Sequence, residues 1–581
     1  MENKKRITGA EALMQALIHE GVTTIFGYPG GGIMPVFDAL YDHRDDFRQV
    51  LVRHEQGAAH AAQGYARSSG RVGVCLVTSG PGATNTITGI SDAMLDSTPI
   101  VVISGQVGAA ALGTDAFQEV DFVCITQPIC KWSYQIRRAE DIAWAVARAF
   151  YIAGSGRPGP VVLDFAKNAQ TSLVDFEPAQ LPIQRGFIPV PQPTDNAIRR
   201  AAALIDEAKR PLLLAGQGIE LAGAQQELRQ FVEKTGIPVA CTLLGLSTLP
   251  FDHPLRQGML GMHGNLAPNV KTNECDVLIA VGMRFDDRVT GKLSTYARQA
   301  KVIHLDIDPS EIGKNVPVDV AVTGDCKETL ARLTEAVHPA EHKEWVDSFA
   351  LYHTMEEERV IRSAIHPTEG PLKMGEVARR VSEATANSAI LVTDVGQNQM
   401  MSARYFRFTR PRSIITSGGL GTMGFGLPAA IGATFGAPDR TVCLFVGDGG
   451  IQMSIQELGT IMESGAPVKI ILLNNNYLGN VRQWQELFFH HRYSCTPMQN
   501  PNYGMIASAY GIPSRMVESR DDLDDAIHEM LGTQGAFLLH VAVEEEENVM
   551  PMTPPGADVD HMLPFTDPST PTEQWKRNFI H

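Results

Sequence analysis

The sequence predicts an α/β protein made of three doubly wound parallel-sheet domains. Length is the first reason: 581 residues, at roughly 150 per domain, suit three or four domains. The second is a recurrence of continuously apolar runs, the pattern of strands buried on both faces of a parallel sheet. The third is that helix-length stretches separate these runs, as the crossovers of repeated βαβ units do.

The chain opens on MENKKRITGAEALMQALIHEGV, which reads as a helix with Thr8 and Glu11 as a capping box ahead of Leu13, Leu17 and Ile18. Strands are predicted at 72–80, 100–106 and 159–165. A Pro-rich stretch at 181–196 then reads as a linker. A second group of strands falls at 211–218, 276–284 and 302–309. The polar, charged segment 338–371 reads as another linker with a possible helix in its middle. A third group falls at 389–396, 441–449, 468–476 and 537–545. Domains are therefore expected at 1–190, 191–370 and 371–560. The Pro- and Asp-rich end, 561–581, is read as an arm, and the whole tail after Asn548 has that character.

Composition excludes several function classes. Hydrophobic residues at 44% and charged residues at 20% are ordinary for a globular chain. No apolar run approaches the roughly 20 residues that span a bilayer, and the N-terminus lacks a signal-peptide core. Eight scattered cysteines without a CxxC pair indicate neither a zinc site nor a disulfide framework, so reduced thiols and a cytoplasmic location are expected. A net charge of −16 argues against a nucleic-acid footprint.

The most informative motif is Gly447-Asp448-Gly449, followed by Asn475 at a distance of 475 − 448 = 27 positions. Both lie at the ends of predicted parallel strands, where ligands bind in such sheets. One carboxylate, one amide and spare carbonyls form a hard oxygen set of low charge. That suits Mg²⁺ already holding phosphate oxygens. Gly396-Gln397-Asn398 after the 389–396 run offers phosphate-binding donors at a helix start. In HEQGAAHAAQGYAR, spacing alone reads Glu55 as a helix start paired with Arg53, followed by small residues that allow close helix packing.

These motifs resemble those of thiamine-diphosphate-dependent enzymes. The resemblance implies that Glu55 faces the aminopyrimidine ring and favours its imino tautomer. It places Gly80-Pro81-Gly82, Asn85 and Gly32 around that ring. It sets the backbone near Gly421 against the amino group and Met423 beneath the cofactor. Gly396, Gln397, Asn398, Gly447, Gly449 and Gly450 surround the diphosphate. Asp448, Asn475 and the Tyr477 carbonyl hold Mg²⁺.

Within that family the chain resembles the acetohydroxyacid synthases, also called acetolactate synthases, over roughly residues 5–560. Three segments carry this: GTDAFQEVD (113–121), GMRFDDRVTGK (282–292) and NNYLGNVRQWQELFF (475–489). The resemblance implies decarboxylation of pyruvate and ligation of the fragment to pyruvate or 2-ketobutyrate, the start of valine, leucine and isoleucine synthesis. Arg288 is implied to bind the acceptor carboxylate, although spacing alone would pair it with Asp286 or Asp287. Trp484 is implied to shape the acceptor pocket, with Gln118, Phe117, Lys167 and Met262 around the substrate channel. The middle domain is implied to hold FAD through Arg157, His263, Arg284, Asp306 and Asp325, in a structural role. Read without the resemblance, Gly216-Gln217-Gly218 is a weak dinucleotide signal. A homodimer or homotetramer with sites at the interface, and a separate small regulatory subunit, are further implications. Gly108 and Ala109, and Gly450 and Ser454, depart from the common forms of the family. A flavin-free catabolic acetolactate synthase and a flavin-dependent pyruvate oxidase are the alternatives on the same scaffold.

Overall fold

A computed structural model describes residues 6–179, 181 and 190–565. Most of the Pro-rich linker and residues 566–581 of the expected arm lie outside the described residues. Three six-stranded sheets, all parallel, form the three domains.

In the first sheet the strands lie side by side as Arg48–Leu51, Thr24–Gly27, Gly73–Val77, Ile100–Gln106, Val161–Ala166 and Trp132–Ile136. The third repeats that winding: Ile414–Ile415, Ile390–Thr393, Val442–Gly447, Lys469–Asn474, Phe537–Ala542 and Ser514–Val517. The middle sheet runs Arg256–Met259, Val239–Cys241, Pro211–Ala215, Val277–Val281, Lys301–Asp306 and Val320–Thr323. In each sheet there is one place where the chain leaves two neighbouring strands in opposite directions. Ligands bind outside the carboxyl ends of the strands at such a switch point. The switch points lie between Thr24–Gly27 and Gly73–Val77, between Pro211–Ala215 and Val277–Val281, and between Ile390–Thr393 and Val442–Gly447.

Every apolar run predicted as a strand is one. The strands that the sequence does not announce are mostly sheet edges, such as Arg48–Leu51 and Ser514–Val517, which are short and partly exposed. The capping box is half formed. The Thr8 hydroxyl accepts from the Glu11 amide at 3.2 Å, but the Glu11 carboxylate turns to Gln15 and His43. The helix expected in the middle of segment 338–371 is present, and the segment packs more closely than a linker would. It folds into helices including Lys343–Asp347 and Ala350–Glu356, with Trp345 and Phe349 buried against the middle domain. The Trp345 indole donates to the Pro211 carbonyl at 2.8 Å. The tail after Asn548 also packs: Val549, Met552, Val559 and Met562 are buried, and the Thr553 amide donates to the Met262 carbonyl at 2.8 Å. Its few apolar residues were diluted among prolines and aspartates in the sequence. Among the described residues no helix is long and apolar enough to cross a membrane.

The first and third domains meet through helix Glu55–Ser69 and helix Gly426–Gly436. A Cβ at Gly64 would lie 1.9 Å from the Ala429 carbonyl oxygen, and one at Gly432 would lie 1.8 Å from that of Ala61. Backbone touches backbone, which explains the run of small residues in both helices. One apolar cluster spans the join, with Val77 and Val102 from one sheet and Leu444 and Ile470 from the other. Overpacking a tight site costs about 1–3 kcal/mol or more. Gly432→Val should therefore lower the melting temperature markedly, whereas Gly154→Ala, with nothing within 4 Å, should not. Equal melting curves for both variants would contradict this packing.

Candidate active site

The predicted site residues fall into three groups. The first stands at the carboxyl edge of the first sheet. The Gly32 amide donates to Thr78 Oγ1 at 3.2 Å, and Gln170 donates to the Gly32 carbonyl at 2.9 Å. Lys167 Nζ lies 3.4 Å from the Gly31 carbonyl. Gly80, at φ +59°, abuts the Gln118 backbone, where a Cβ would lie 2.9 Å from the Gln118 oxygen. Pro81 opens the one-turn helix Pro81–Thr84, and Asn85 Nδ2 donates to Glu55 Oε2 at 2.9 Å. Arg53, the partner that spacing offered to Glu55, instead pairs with Glu463 at 2.6 Å. Phe117 stands 87% exposed at the tip of the Gly113–Asp121 loop, which Glu119 gathers by accepting from the amides of Gly113, Thr114 and Ala116.

The second group occupies the switch point of the third sheet. Asp448 is buried, which pushes its carboxyl up to about 6 against the hydrogen bond from Asn500 Nδ2 at 2.7 Å. Asn475 Nδ2 donates to Gln397 Oε1 at 3.1 Å, and the Tyr477 amide lies 3.4 Å from Asn475 Oδ1. Asn398 Oδ1 is buried with no hydrogen-bond partner among the described residues. Glycines leave room around these groups. A Cβ at Gly450 would come within 2.4 Å of Asp394 Oδ1. One at Gly449 would lie 3.7 Å from the Met423 methyl, and one at Gly447 would lie 3.3 Å from Asn398 Nδ2. Gly396, at φ +124°, adopts a conformation open to glycine. Among the described residues no group of three or more His, Cys, Asp and Glu could hold a metal ion. The site instead offers one carboxylate, amide oxygens and an orphaned acceptor in a cleared space. That donor set fits Mg²⁺ only if phosphate oxygens complete its shell.

The third group lines a cavity of about 1470 Å³ to which all three domains contribute. Arg157 comes from the first domain; Met262, His263, Arg284, Arg288, Asp306 and Asp325 from the middle; Gly421 and Trp484 from the third. Arg157 reaches across to Glu311 at 2.8 Å and Asp308 at 3.3 Å. Burial pushes Asp306 up to about 6. Burial, with the charges of Arg404 and Arg288, holds His263 down to about 3, so its ring is neutral. Arg288 is mostly exposed, and its nearest paired carboxylate, Asp287, is 3.9 Å away, too loose to occupy the guanidinium. Met262 fixes the Arg288 segment by donating its amide to the Arg288 carbonyl at 2.7 Å. Trp484 is half-buried and meets Phe488 edge to face at 5.5 Å. Gly216 and Gly218 are small because Gly282 passes close by: Cβ atoms there would lie 2.2 Å from its oxygen and 2.6 Å from its Cα. The loop Gly419–Gly421 is exposed at the cavity rim, and burial begins at Thr422, ahead of the helix Gly426–Gly436.

Among the described residues neither the first group, Glu55 included, nor the second, Asp448 and Asn475 included, lines this cavity. Sequence reasoning also missed two residues of the second group. Asp394 ends a recognised strand and accepts from the amides of Gly424 and Gly426, so a carboxylate at a strand end was available as a signal. Asn500 lies in an irregular stretch with no pattern to mark it.

Three family models of thiamine pyrophosphate (thiamine diphosphate) enzymes match the chain. They are the N-terminal TPP binding domain over residues 7–125, the central domain over 198–333 and the C-terminal TPP binding domain over 394–541. The chain is 46% identical over 561 residues to the acetolactate synthase isozyme 2 large subunit of Escherichia coli (strain K12), covering 96% of this chain and 99% of that protein. The chain belongs to the acetolactate synthase large-subunit family of thiamine pyrophosphate enzymes. Other members of the acetolactate synthase family are as evenly matched. The large subunit from Lactococcus lactis subsp. lactis is 42% identical over 569 residues, 97% of this chain and 98% of that one. Acetolactate synthase 1, chloroplastic, from Nicotiana tabacum is 45% identical over 560 residues, 94% of this chain and 83% of that one.

The raised pKa of Asp306 makes a stability prediction for this acetolactate synthase family member. An unfolded Asp titrates near 3.9, so the folded chain binds the extra proton between about pH 4 and pH 6. Stability is therefore lost as pH rises through that window, by at most about 3 kcal/mol for a shift of this size. Asp306→Asn should raise the melting temperature of the cofactor-free protein at pH 7.5, with the gain vanishing near pH 4. A pH-independent difference would contradict the assignment.

Proposed function

We propose that the chain is the catalytic subunit of an acetolactate synthase. It decarboxylates pyruvate and joins the two-carbon fragment to a second pyruvate or to 2-ketobutyrate, at the head of branched-chain amino-acid synthesis. The observation that carries this reading is the single cavity with Arg288, Trp484 and Gly421 on one wall system. Thiamine diphosphate, when bound, would supply a nucleophile for the ketoacid and an electron sink for decarboxylation.

The chain's own groups bind, orient and move protons. Glu55, held by Asn85, exchanges a proton with the aminopyrimidine ring. Asp448, Asn475 and the Tyr477 carbonyl hold Mg²⁺, and Gly396–Asn398 and Gly447–Gly450 accommodate the diphosphate. Met423, beside Gly449, supports the rings. Arg288 grips the acceptor carboxylate with a planar guanidinium fork. Trp484 packs against the extra methyl group of 2-ketobutyrate, and Gln118, Phe117, Lys167 and Met262 border the substrate path. Arg157, Arg284, Asp306, Asp325 and His263 line the middle-domain end of the cavity and would hold FAD there, in a structural role. Neither Glu55 nor Asp448 lines the cavity of its own chain, and each stands at the carboxyl edge of its own sheet; a homodimer or a dimer of dimers would bring the Glu55 of one chain to the Asp448 site of its partner. The large-subunit relatives support a separate small regulatory chain.

Acceptor choice tests this reading. Losing a charge-assisted carboxylate contact should exceed the loss of one methylene contact, worth about 1–3 kcal/mol. Arg288→Gln should depress ligation with both acceptors and weaken acceptor saturation. Trp484→Leu should keep acetolactate formation but shift products away from 2-aceto-2-hydroxybutyrate. A competition between pyruvate and 2-ketobutyrate reads both, and an unchanged product ratio in Trp484→Leu would make that residue plain packing.

A further inference from the structure

Two aspartates outside the proposed machinery join the domains at the cavity. Asp92 and Asp96 lie at the end of helix Ile87–Leu95 of the first domain and are 0% and 1% exposed. A carboxylate so deep is costly unless it is paired. Its partners here belong largely to another domain. Asp96 accepts from the backbone amides of Gly418 at 2.8 Å and Gly419 at 2.7 Å, and from Arg67 at 2.8 Å. Asp92 Oδ1 accepts from the hydroxyls of Ser417 and, at 3.0 Å, Thr422. The other oxygen of Asp92 is buried with no hydrogen-bond partner among the described residues. Both ends of the loop Ser417–Thr422 are thus hung from the first domain, while its glycine tip, Gly419–Gly421, is exposed on the cavity rim.

The same junction reaches the middle domain. Ser97, at φ +54°, accepts from Arg157 Nε at 2.8 Å, and Arg157 continues to Glu311. A Cβ at Gly419 would lie 2.9 Å from Asp96 Oδ1 and 3.2 Å from Arg284 Nη2. Asp96 and Arg284 therefore both border the loop at Gly419.

We propose that Asp92 and Asp96 are positioning residues that couple the two ends of the cavity. Through the Ser417–Thr422 loop, occupancy of the dinucleotide end beside Arg284 tightens binding of thiamine diphosphate beside Gly421 and Met423, and the reverse. The inference rests on the two-cofactor reading above. Its physical basis is that the first ligand orders a shared glycine loop, leaving less ordering for the second. The coupling is necessarily reciprocal.

The test is a binding cycle that needs no turnover. FAD is titrated into cofactor-free protein by quenching of its fluorescence, with and without saturating Mg²⁺ and thiamine diphosphate. The same is done for Asp96→Asn. In the wild type, thiamine diphosphate should tighten FAD binding by roughly 5–150-fold, the range of such couplings. In Asp96→Asn that factor should fall towards one, while each cofactor alone still binds. If Asp96→Asn does not fold, Thr422→Val, which removes only one hydroxyl from Asp92, should reduce the factor and decides the matter. An undiminished factor in the variants, or no coupling in the wild type, would overturn the inference and leave the two-cofactor reading standing. A wild type that binds no FAD would overturn that reading and the inference with it.

Discussion

The backbone-to-backbone packing of helix Glu55–Ser69 on helix Gly426–Gly436 fixes where the rest of the site stands. Glycines at 64 and 432 let each helix touch the carbonyls of the other, so the two backbones meet directly at these positions. The first and third sheets share a core because of it. The middle sheet is then held at the ends of both, by Arg157 reaching to Glu311 and by the returning tail along Met262 and Lys292. The three-walled cavity is the space left between these contacts.

Within that frame the chemistry sits where strand order reverses. The same rule places Gly32 and Pro81, Gly216 and Arg284, and Gln397 and Asp448 at three separate switch points. Burial there has an electrical consequence. Desolvation pushes Asp448 and Asp306 both up to about 6 against the hydrogen bonds they already accept, so ionising each carries a cost in the empty protein that a nearby cation or a further donor would lessen. The site is built to be filled, and stability and ligand binding draw on the same groups.

Much of this was legible in the sequence, for physical reasons. Strands buried on both faces must be apolar throughout, so the inner strands such as Ile100–Gln106 and Lys469–Asn474 announce themselves. Edge strands such as Ser514–Val517 need not be, and they do not. The helices of 338–371 rest on a few buried residues, Trp345 and Phe349 among them, in a charged background that reads as linker. Glycine motifs mark the cofactor edges because close approach forbids a Cβ. Asn500, which grips Asp448 from an irregular loop, leaves no periodic trace. The resemblance to a known family supplied the roles of Arg288 and Trp484, which spacing alone could not.

The central claim is that one chain does not hold a complete site. Glu55 bonds within its own domain and Asp448 stands at the switch point of another sheet, and neither lines the cavity. Mixing separately inactive Glu55→Gln and Asp448→Ala subunits, with equilibration to mixed dimers, tests it most directly. Each mixed dimer would contain one site with neither substitution, so the account predicts that part of the wild-type activity returns. Mixed dimers as inactive as either parent would show that the site is built within a single chain.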